Sequence, residues 1–331
     1  PNVSTQRAAN RRDPTFAAPA CPEKGSPPRC RASPDQLCQD SSVTAPFARD
    51  LCGYRPGESR VANTADAHDA NSKKWGAALF DALGVPPDEV GRADAKMGAP
   101  FEVAVRTHLD SLGTGLRFTN SPASEFEQYL HLATFMKFQR DYVASATHLE
   151  EAQQALADLP AGRARTRVAG LLRRAEVHYS RNSALIDELR RTMAEESMLN
   201  VDIAVWDPLE PVPRLRIALS LKWSLRTDRA QDGISQGQKL SNLRRGQMPH
   251  YAVLTMEPRP SMLKLLAYGS GAVDCVYHAA LPELRAAAER RAADENSSQI
   301  KRQRDLLERM VDQRRLRDYD ELVSEIERQR V

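Results

Sequence analysis

The sequence predicts a mixed α/β fold: a central sheet flanked by helices, with long helical additions. Three observations carry that expectation. The 331 residues are 41% hydrophobic and 27% charged, an ordinary balance for a chain that buries one sizeable core. After residue 200, short apolar runs alternate with helical stretches, the pattern of a sheet covered by helices. Before it, two long stretches rich in alanine and arginine lack strand-like alternation and suit helix.

Taken in order, residues 1–60 read as an irregular N-terminal arm. Pro14, Pro19, Pro22, Pro27, Pro28, Pro34, Pro46 and Pro56 interrupt any helical or strand period there. The arm is either flexible or a layer lying on the domain. Asn71 is expected to cap a helix through Trp75, Ala78, Leu79 and Leu83, closed by Gly84. Pro100 opens a second helix through Phe101, Val105 and Leu109 that ends near Gly113. A third helix is expected over about residues 124–156 and a fourth over about 163–199. Residues 201–206 and 215–223 read as strands, followed by a polar helix over roughly 232–244. A strand at 251–256, a short helix at 261–268 and a strand at 273–278 complete the alternation. From about residue 282 the chain turns helical, with Leu306, Leu307, Met310, Val311, Leu316, Tyr319, Leu322 and Val323 at helical spacing. Residues 285–331 hold twelve basic and eleven acidic residues, the balance of a solvated helix pair or a coiled partner surface. Three regions result: an arm (1–60), a core (61–284) and a C-terminal helical extension (285–331).

The formal net charge of +3 does not announce a nucleic-acid binder, so any such surface must be a local patch balanced by acids elsewhere. No run of about eighteen apolar residues and no secretory signal is visible, so a cytoplasmic location is expected. Cys21, Cys30, Cys38, Cys52 and Cys275 form no CxxC pair. Thiols in a reducing compartment are the expectation, and a zinc site from the first four is the alternative. No glycine-rich phosphate cradle appears, so no NTP requirement is expected.

Chemistry enters at the two strands after residue 200. Side chains alternate along a strand, so Ser220 and Lys222 share one face while Leu219, Leu221 and Trp223 share the other. Asp202 sits on the preceding strand. An acid, a hydroxyl and an ammonium thus stand where one metal ion and one phosphate could meet, the parts that phosphodiester hydrolysis needs. The plain alternative is a strand end with a solvated lysine. Four residues on comes Arg226-Thr227-Asp228-Arg229. Arginine reads guanine O6 and N7 as a bidentate pair, and aspartate accepts from cytosine N4, so one short loop offers what a C·G-rich site requires. A salt-bridged surface loop is the alternative there.

The run Ser220-Leu221-Lys222-Trp223-Ser224-Leu225-Arg226-Thr227-Asp228-Arg229-Ala230-Gln231 resembles the catalytic and recognition segment of the NgoMIV family of restriction endonucleases. The stretch from Pro249 through Met256-Glu257-Pro258-Arg259-Pro260-Ser261 is similar too, as are Asp274-Cys275-Val276-Tyr277-His278 and Ala280-Leu281-Pro282-Glu283-Leu284. Weaker similarity reaches back to about residue 60 and stops near residue 290. The resemblance implies a PD-(D/E)xK nuclease core in a prokaryotic cytoplasm, with Mg²⁺ as cofactor and double-stranded DNA as partner. It implies Asp202 as central metal ligand, Ser220 where other nucleases of this fold carry Asp or Glu, and Lys222 as catalytic lysine. Glu102, in Pro100-Phe101-Glu102, resembles a further acidic active-site residue and second metal ligand. Arg226, Asp228 and Arg229 would contact the bases of a CCGG-containing palindrome. Asp66, in a loosely similar segment, would approach bases as well. Cleavage leaving 5′ overhangs, GCCGGC as full site, and a homodimer or homotetramer complete what the resemblance implies.

The sequence departs from the family in three places. Val201 stands where a proline precedes the metal-binding aspartate, and the interval from Asp202 to Lys222 is short. A late active-site glutamate aligns with Gln236, whose neutral amide supplies no charge. Asp232, one helical turn earlier, is positioned to replace it. Gln236 also motivates a rival reading, a catalytically impaired DNA-binding protein on a nuclease scaffold. A second rival is an interaction protein built on the long helices.

Overall fold

The computed structural model describes residues 44–56, 60–87, 97–141, 147–193 and 199–329. Cys21, Cys30 and Cys38, with most of the expected arm, lie outside the described residues. A short helix α1 (Ala48–Leu51) leads to a ribbon of β1 (Tyr54–Arg55) and β2 (Val61–Ala62). Helix α2 (Ala70–Leu83) is capped by Asp69, not by Asn71 as expected: the Asp69 carboxylate accepts from the Asn71 N–H at 2.9 Å. Gly84 closes α2 at φ 67°, a left-handed conformation that glycine adopts without a Cβ penalty. Helix α3 (Gly98–Ser111) begins two residues before Pro100.

The helix expected over 124–156 is overturned in its first part. Residues Arg117–Pro122 form a strand, β3, followed by two 3-10 turns and then by α4 (Leu130–Asp141) and α5 (Thr147–Ala157). Helix α6 spans Arg163–Met193. The expected alternation then follows: β4 (Asn200–Trp206), β5 (Ile217–Lys222), α7 (Thr227–Leu243), β6 (His250–Thr255), α8 (Pro260–Gly269) and β7 (Cys275–His278). The C-terminal stretch holds α9 (Leu281–Asp294) and α10 (Ser298–Asp312). It continues with a strand that the helical spacing concealed, β8 (Leu316–Asp318), and ends in α11 (Tyr319–Arg328).

The six long-range strands run β3-β4-β5-β6-β7-β8, antiparallel across the first three and parallel from β5 onward. The parallel strands β5, β6 and β7 are buried almost throughout, as sheets covered on both faces are. The C-terminal stretch belongs to this sheet, and Leu307, Met310, Tyr319, Leu322 and Ile326 join the same hydrophobic core as Ile203 and Val253. The short interval between β4 and β5 is closed by ion pairs: Arg216 meets Asp207 at 3.3 Å and Glu210 at 3.1 Å, and Arg214 meets Glu210 at 2.8 Å. Helix α7 lies unusually close to β6 because Gly237 has no side chain. A Cβ there would stand 2.5 Å from the Tyr251 ring. Among the described residues no helix is long and apolar enough to cross a membrane.

Candidate active site and recognition surface

Two irregularities in the sheet make the site. Between the pairs Thr119–Ala204 and Ser121–Val201, the single residue Asn120 of β3 faces two residues of β4, Asp202 and Ile203. This bulge bends β4 and re-aims Asp202. On the other side, the β4–β5 ladder ends at Ile203–Leu219. One turn of pleat further, the Leu221 N–H donates to Asp202 Oδ2 at 2.7 Å instead of to a backbone carbonyl. The carboxylate therefore substitutes for the ladder where the two strands part.

Ser220 and Lys222 meet Asp202, as strand alternation requires. Ser220 Oγ donates to Asp202 Oδ2 at 3.3 Å, and Lys222 Nζ stands 3.6 Å from the same oxygen. Asp202 Oδ1 takes no hydrogen bond from the described residues and is left for another ligand. Ser220 itself is fully buried. Asp202, Lys222, Asp232, Gln236 and Lys239 line one cleft of about 290 Å³. Lys222 and Asp232 also line an adjoining cleft of about 600 Å³, with Asp66, Arg226 and Arg229.

Glu102 lines neither cleft. It stands beside Phe101, whose ring packs edge-on against Trp223 of the β5 end with centroids 5.3 Å apart. Its Oε1 accepts from Asn120 Nδ2 at 3.0 Å, so it is tied to the residue opposite the Asp202 bulge. Gln236 is engaged rather than vacant. Its Nε2 donates to the Asn200 carbonyl, and its Oε1 accepts from the Tyr251 hydroxyl at 3.2 Å. The one proton of that hydroxyl is shared with the Gly233 carbonyl, which is closer at 2.7 Å, and burial raises the hydroxyl's pKa.

The residues expected to contact bases lie on a helix start, not in the loop expected for them. Arg226 is the N-cap of α7, while Asp228 and Arg229 occupy its exposed first turn. Arg226 Nε stands 3.7 Å from Asp66 Oδ2, joining the two segments that the sequence could relate only loosely. The His68 N–H, which donates to Asp66 Oδ1 at 3.0 Å, holds the Asp66 carboxyl below its ordinary pKa against burial, with Arg226 and Arg259 adding to the effect.

Sequence reasoning missed the anchor beneath this surface. Arg259 Nε meets Glu257 Oε1 at 2.6 Å in a pair that is 6% and 0% exposed. Both partners grip Leu225: its N–H donates to Glu257 Oε2 at 2.7 Å, and its carbonyl accepts from Arg259 at 2.6 Å. Arg259 also reaches Asp69, the cap of α2, at 2.9 Å. Burial pushes the Glu257 carboxyl up in pKa even against the guanidinium beside it. His278 closes the network. Its Nδ1 accepts from the Ala280 N–H, its Nε2 donates to the Glu257 carbonyl, and burial lowers its pKa to about 4, so it is neutral packing. Tyr129 and Leu132 are likewise buried packing, the Tyr129 hydroxyl donating to the Leu240 carbonyl.

The six-stranded mixed sheet and its flanking helices are those of a restriction endonuclease-like core. The chain belongs to the NgoMIV restriction enzyme family, whose match covers residues 53–326 and so corrects the expectation that the similarity ends near residue 290. It is 32% identical over 199 residues to the type II restriction enzyme NgoMIV of Neisseria gonorrhoeae, an alignment that covers 60% of this chain and 61% of that enzyme.

Proposed function

We propose that the protein is a metal-dependent, site-specific endonuclease that cuts double-stranded DNA at a CCGG-containing palindrome, with GCCGGC as the full site and 5′ overhangs as products. The observation that carries this reading is the convergence of Ser220, Lys222 and the Leu221 N–H on one oxygen of Asp202, in a cleft continuous with Arg226 and Arg229.

Among the described residues no three His, Cys, Asp or Glu side chains gather into one cluster. The donor set still fits Mg²⁺, which is held by one or two carboxylates together with water and substrate phosphate. Asp202 would hold the ion through its open oxygen, with Asp232 of the same cleft as a further acid and Glu102, tied to Asn120 across the bulge, as the second ligand that the resemblance implies. Bound there, the ion would lower the pKa of a coordinated water and offset charge on the phosphate. The protein's own part is orientation and charge. Ser220 and the Leu221 N–H fix the Asp202 carboxylate, and Lys222 places an ammonium beside the scissile phosphate. Arg226, Asp228 and Arg229 read bases from the first turn of α7, whose N-terminus also favours a phosphate. A two-fold homodimer or homotetramer matches a palindromic site.

The test is digestion of a plasmid of known sequence with purified protein and Mg²⁺, followed by mapping of the ends. Discrete cuts at CCGG-containing palindromes are expected, and Lys222→Ala should abolish them while leaving specific binding in Ca²⁺ intact. Specific binding without cleavage by the wild type at any Mg²⁺ or Mn²⁺ concentration would establish the impaired-scaffold reading instead.

A further inference from the structure

Helices α5 and α6 pack on one another as a hairpin. Gln153 donates to Glu176 at 3.2 Å, and Arg165 donates to the Leu159 carbonyl in the turn between them. Half-buried residues Ala169, Leu172, Tyr179, Ser183 and Ile186 recur at alternating steps of three, four and seven, marking the side that faces α5. Helix α6 carries eight arginines against three acids, a larger positive excess than the whole chain has. Its arginines are not scattered. At about 100° per residue, Arg163, Arg167, Arg174 and Arg181 fall within about 40° of one another, on the side opposite Leu172 and Ser183. All four are exposed, and none is paired with an acid among the described residues. They form a row about 27 Å long, from a rise of about 1.5 Å per residue.

The row is tethered to the catalytic end of the sheet. Helix α6 ends at Met193 and β4 starts at Asn200, a lining residue of the Asp202 cleft. None of these four arginines is buried, so packing does not hold the row in place and its charge is directed to solvent. A row of guanidinium groups matching the length of several base pairs meets its natural complement in a duplex, which carries one phosphate charge per about 1.7 Å.

We propose that this face of α6 binds the phosphate backbone of duplex DNA flanking the cut site, adding affinity that does not depend on sequence. The inference rests on the nuclease reading above, since it presumes a duplex held at the Asp202 cleft. The flanking stripe of Val168, Leu171, Leu185 and Leu189 is exposed and apolar, so a second copy of the chain is the rival occupant of α6.

The experiment compares wild type with the quadruple Arg163→Gln, Arg167→Gln, Arg174→Gln, Arg181→Gln variant, which keeps helix propensity nearly constant. Binding in Ca²⁺ is measured against salt on a duplex barely longer than the palindrome and on one extended by about 20 base pairs each side. On the long duplex the slope of log K against log salt should shrink by about 3.6, which is about 0.9 per lost contact, with affinity at low salt down about tenfold or more. The short duplex should show little change, the cutting site should stay the same, and the matching Arg→Lys quadruple should keep the wild-type slope. Helix content by circular dichroism checks folding, and a variant that fails it is replaced by the Arg174→Gln, Arg181→Gln double, for which half the slope change is expected. Equal slopes on the long duplex overturn the proposal. So does a change of sedimenting mass without a change of slope, which assigns the face to a second copy. A wild type that ignores CCGG duplexes refutes the nuclease reading itself.

Discussion

At the scale of single residues, Gln236 decides where acidic charge can stand beside Asp202 on α7. A glutamate there would lose the N–H that now donates to the Asn200 carbonyl and would set a carboxylate against that oxygen. An unmet acceptor of this kind costs about 1–3 kcal/mol. The amide is thus built into the junction of α7 with β4, and Asp232 is the acid on that face of α7 that lines both clefts. Asp232→Asn should raise the Mg²⁺ concentration for half-maximal single-turnover cleavage several-fold. Gln236→Glu should lower stability and give no rescue in the double variant. A wild-type metal titration for Asp232→Asn would leave Asp202 and Glu102 as the working carboxylates. The Asp202, Ser220 and Lys222 grouping was legible in the sequence because strand alternation fixes side. Gln236's hydrogen bonds were not, because they depend on how closely Gly237 lets α7 approach β6.

At the scale of elements, the strands and helices after residue 200 were readable because apolar runs and polar spacers alternate cleanly there. Two strands were not. β3 is an edge strand whose six residues include Asn120 and Pro122 and whose pairing is broken by the bulge. β8 has three residues, too few to show a period, and Leu316, Tyr319 and Leu322 fit helical spacing equally well. The start of α7 was hidden for another reason: its first turn is charged and exposed, and the buried Glu257–Arg259 pair that fixes Leu225 before it comes from sequence more than thirty residues away. That pair ties the α7 start to the α2 cap, so the Arg226–Asp66 contact depends on both. Asp69→Asn keeps a good N-cap and removes the charge that Arg259 meets. It should reduce discrimination between CCGG and single-mismatch duplexes several-fold, with non-specific binding unchanged. Equal losses on both duplexes would mark the network as structural support alone.

At the scale of the whole molecule, the sheet separates its two ends. Lys222 and the clefts stand at the C-terminal end of β5, whereas His250 opens β6 at the other end, where its Nδ1 meets Asp274 at 3.0 Å. Burial opposes the His250 charge, but the hydrogen bonds to Asp274 and Cys275 outweigh it and raise the pKa to about 9. Tyr277 hydroxyl, 3.2 Å from Nε2, and Glu325 complete its polar surroundings. Below the ordinary histidine value of about 6.5, both folded and unfolded chains are protonated and the stabilisation is complete. Between about 6.5 and about 9 the unfolded chain releases a proton that the folded chain keeps, so stability falls as pH rises through that window. The loss should be on the order of 2–3 kcal/mol. Asp274→Asn retains an acceptor for the Tyr251 N–H and removes the charge, so it should lower stability near pH 6.5 and flatten the alkaline decline. Urea unfolding across pH 6–9.5 measures both effects. Because this pair lies at the end of the sheet away from Lys222, DNA affinity at pH 7 should be unchanged in the variant. An alkaline decline as steep in Asp274→Asn as in the wild type would show that other groups set it.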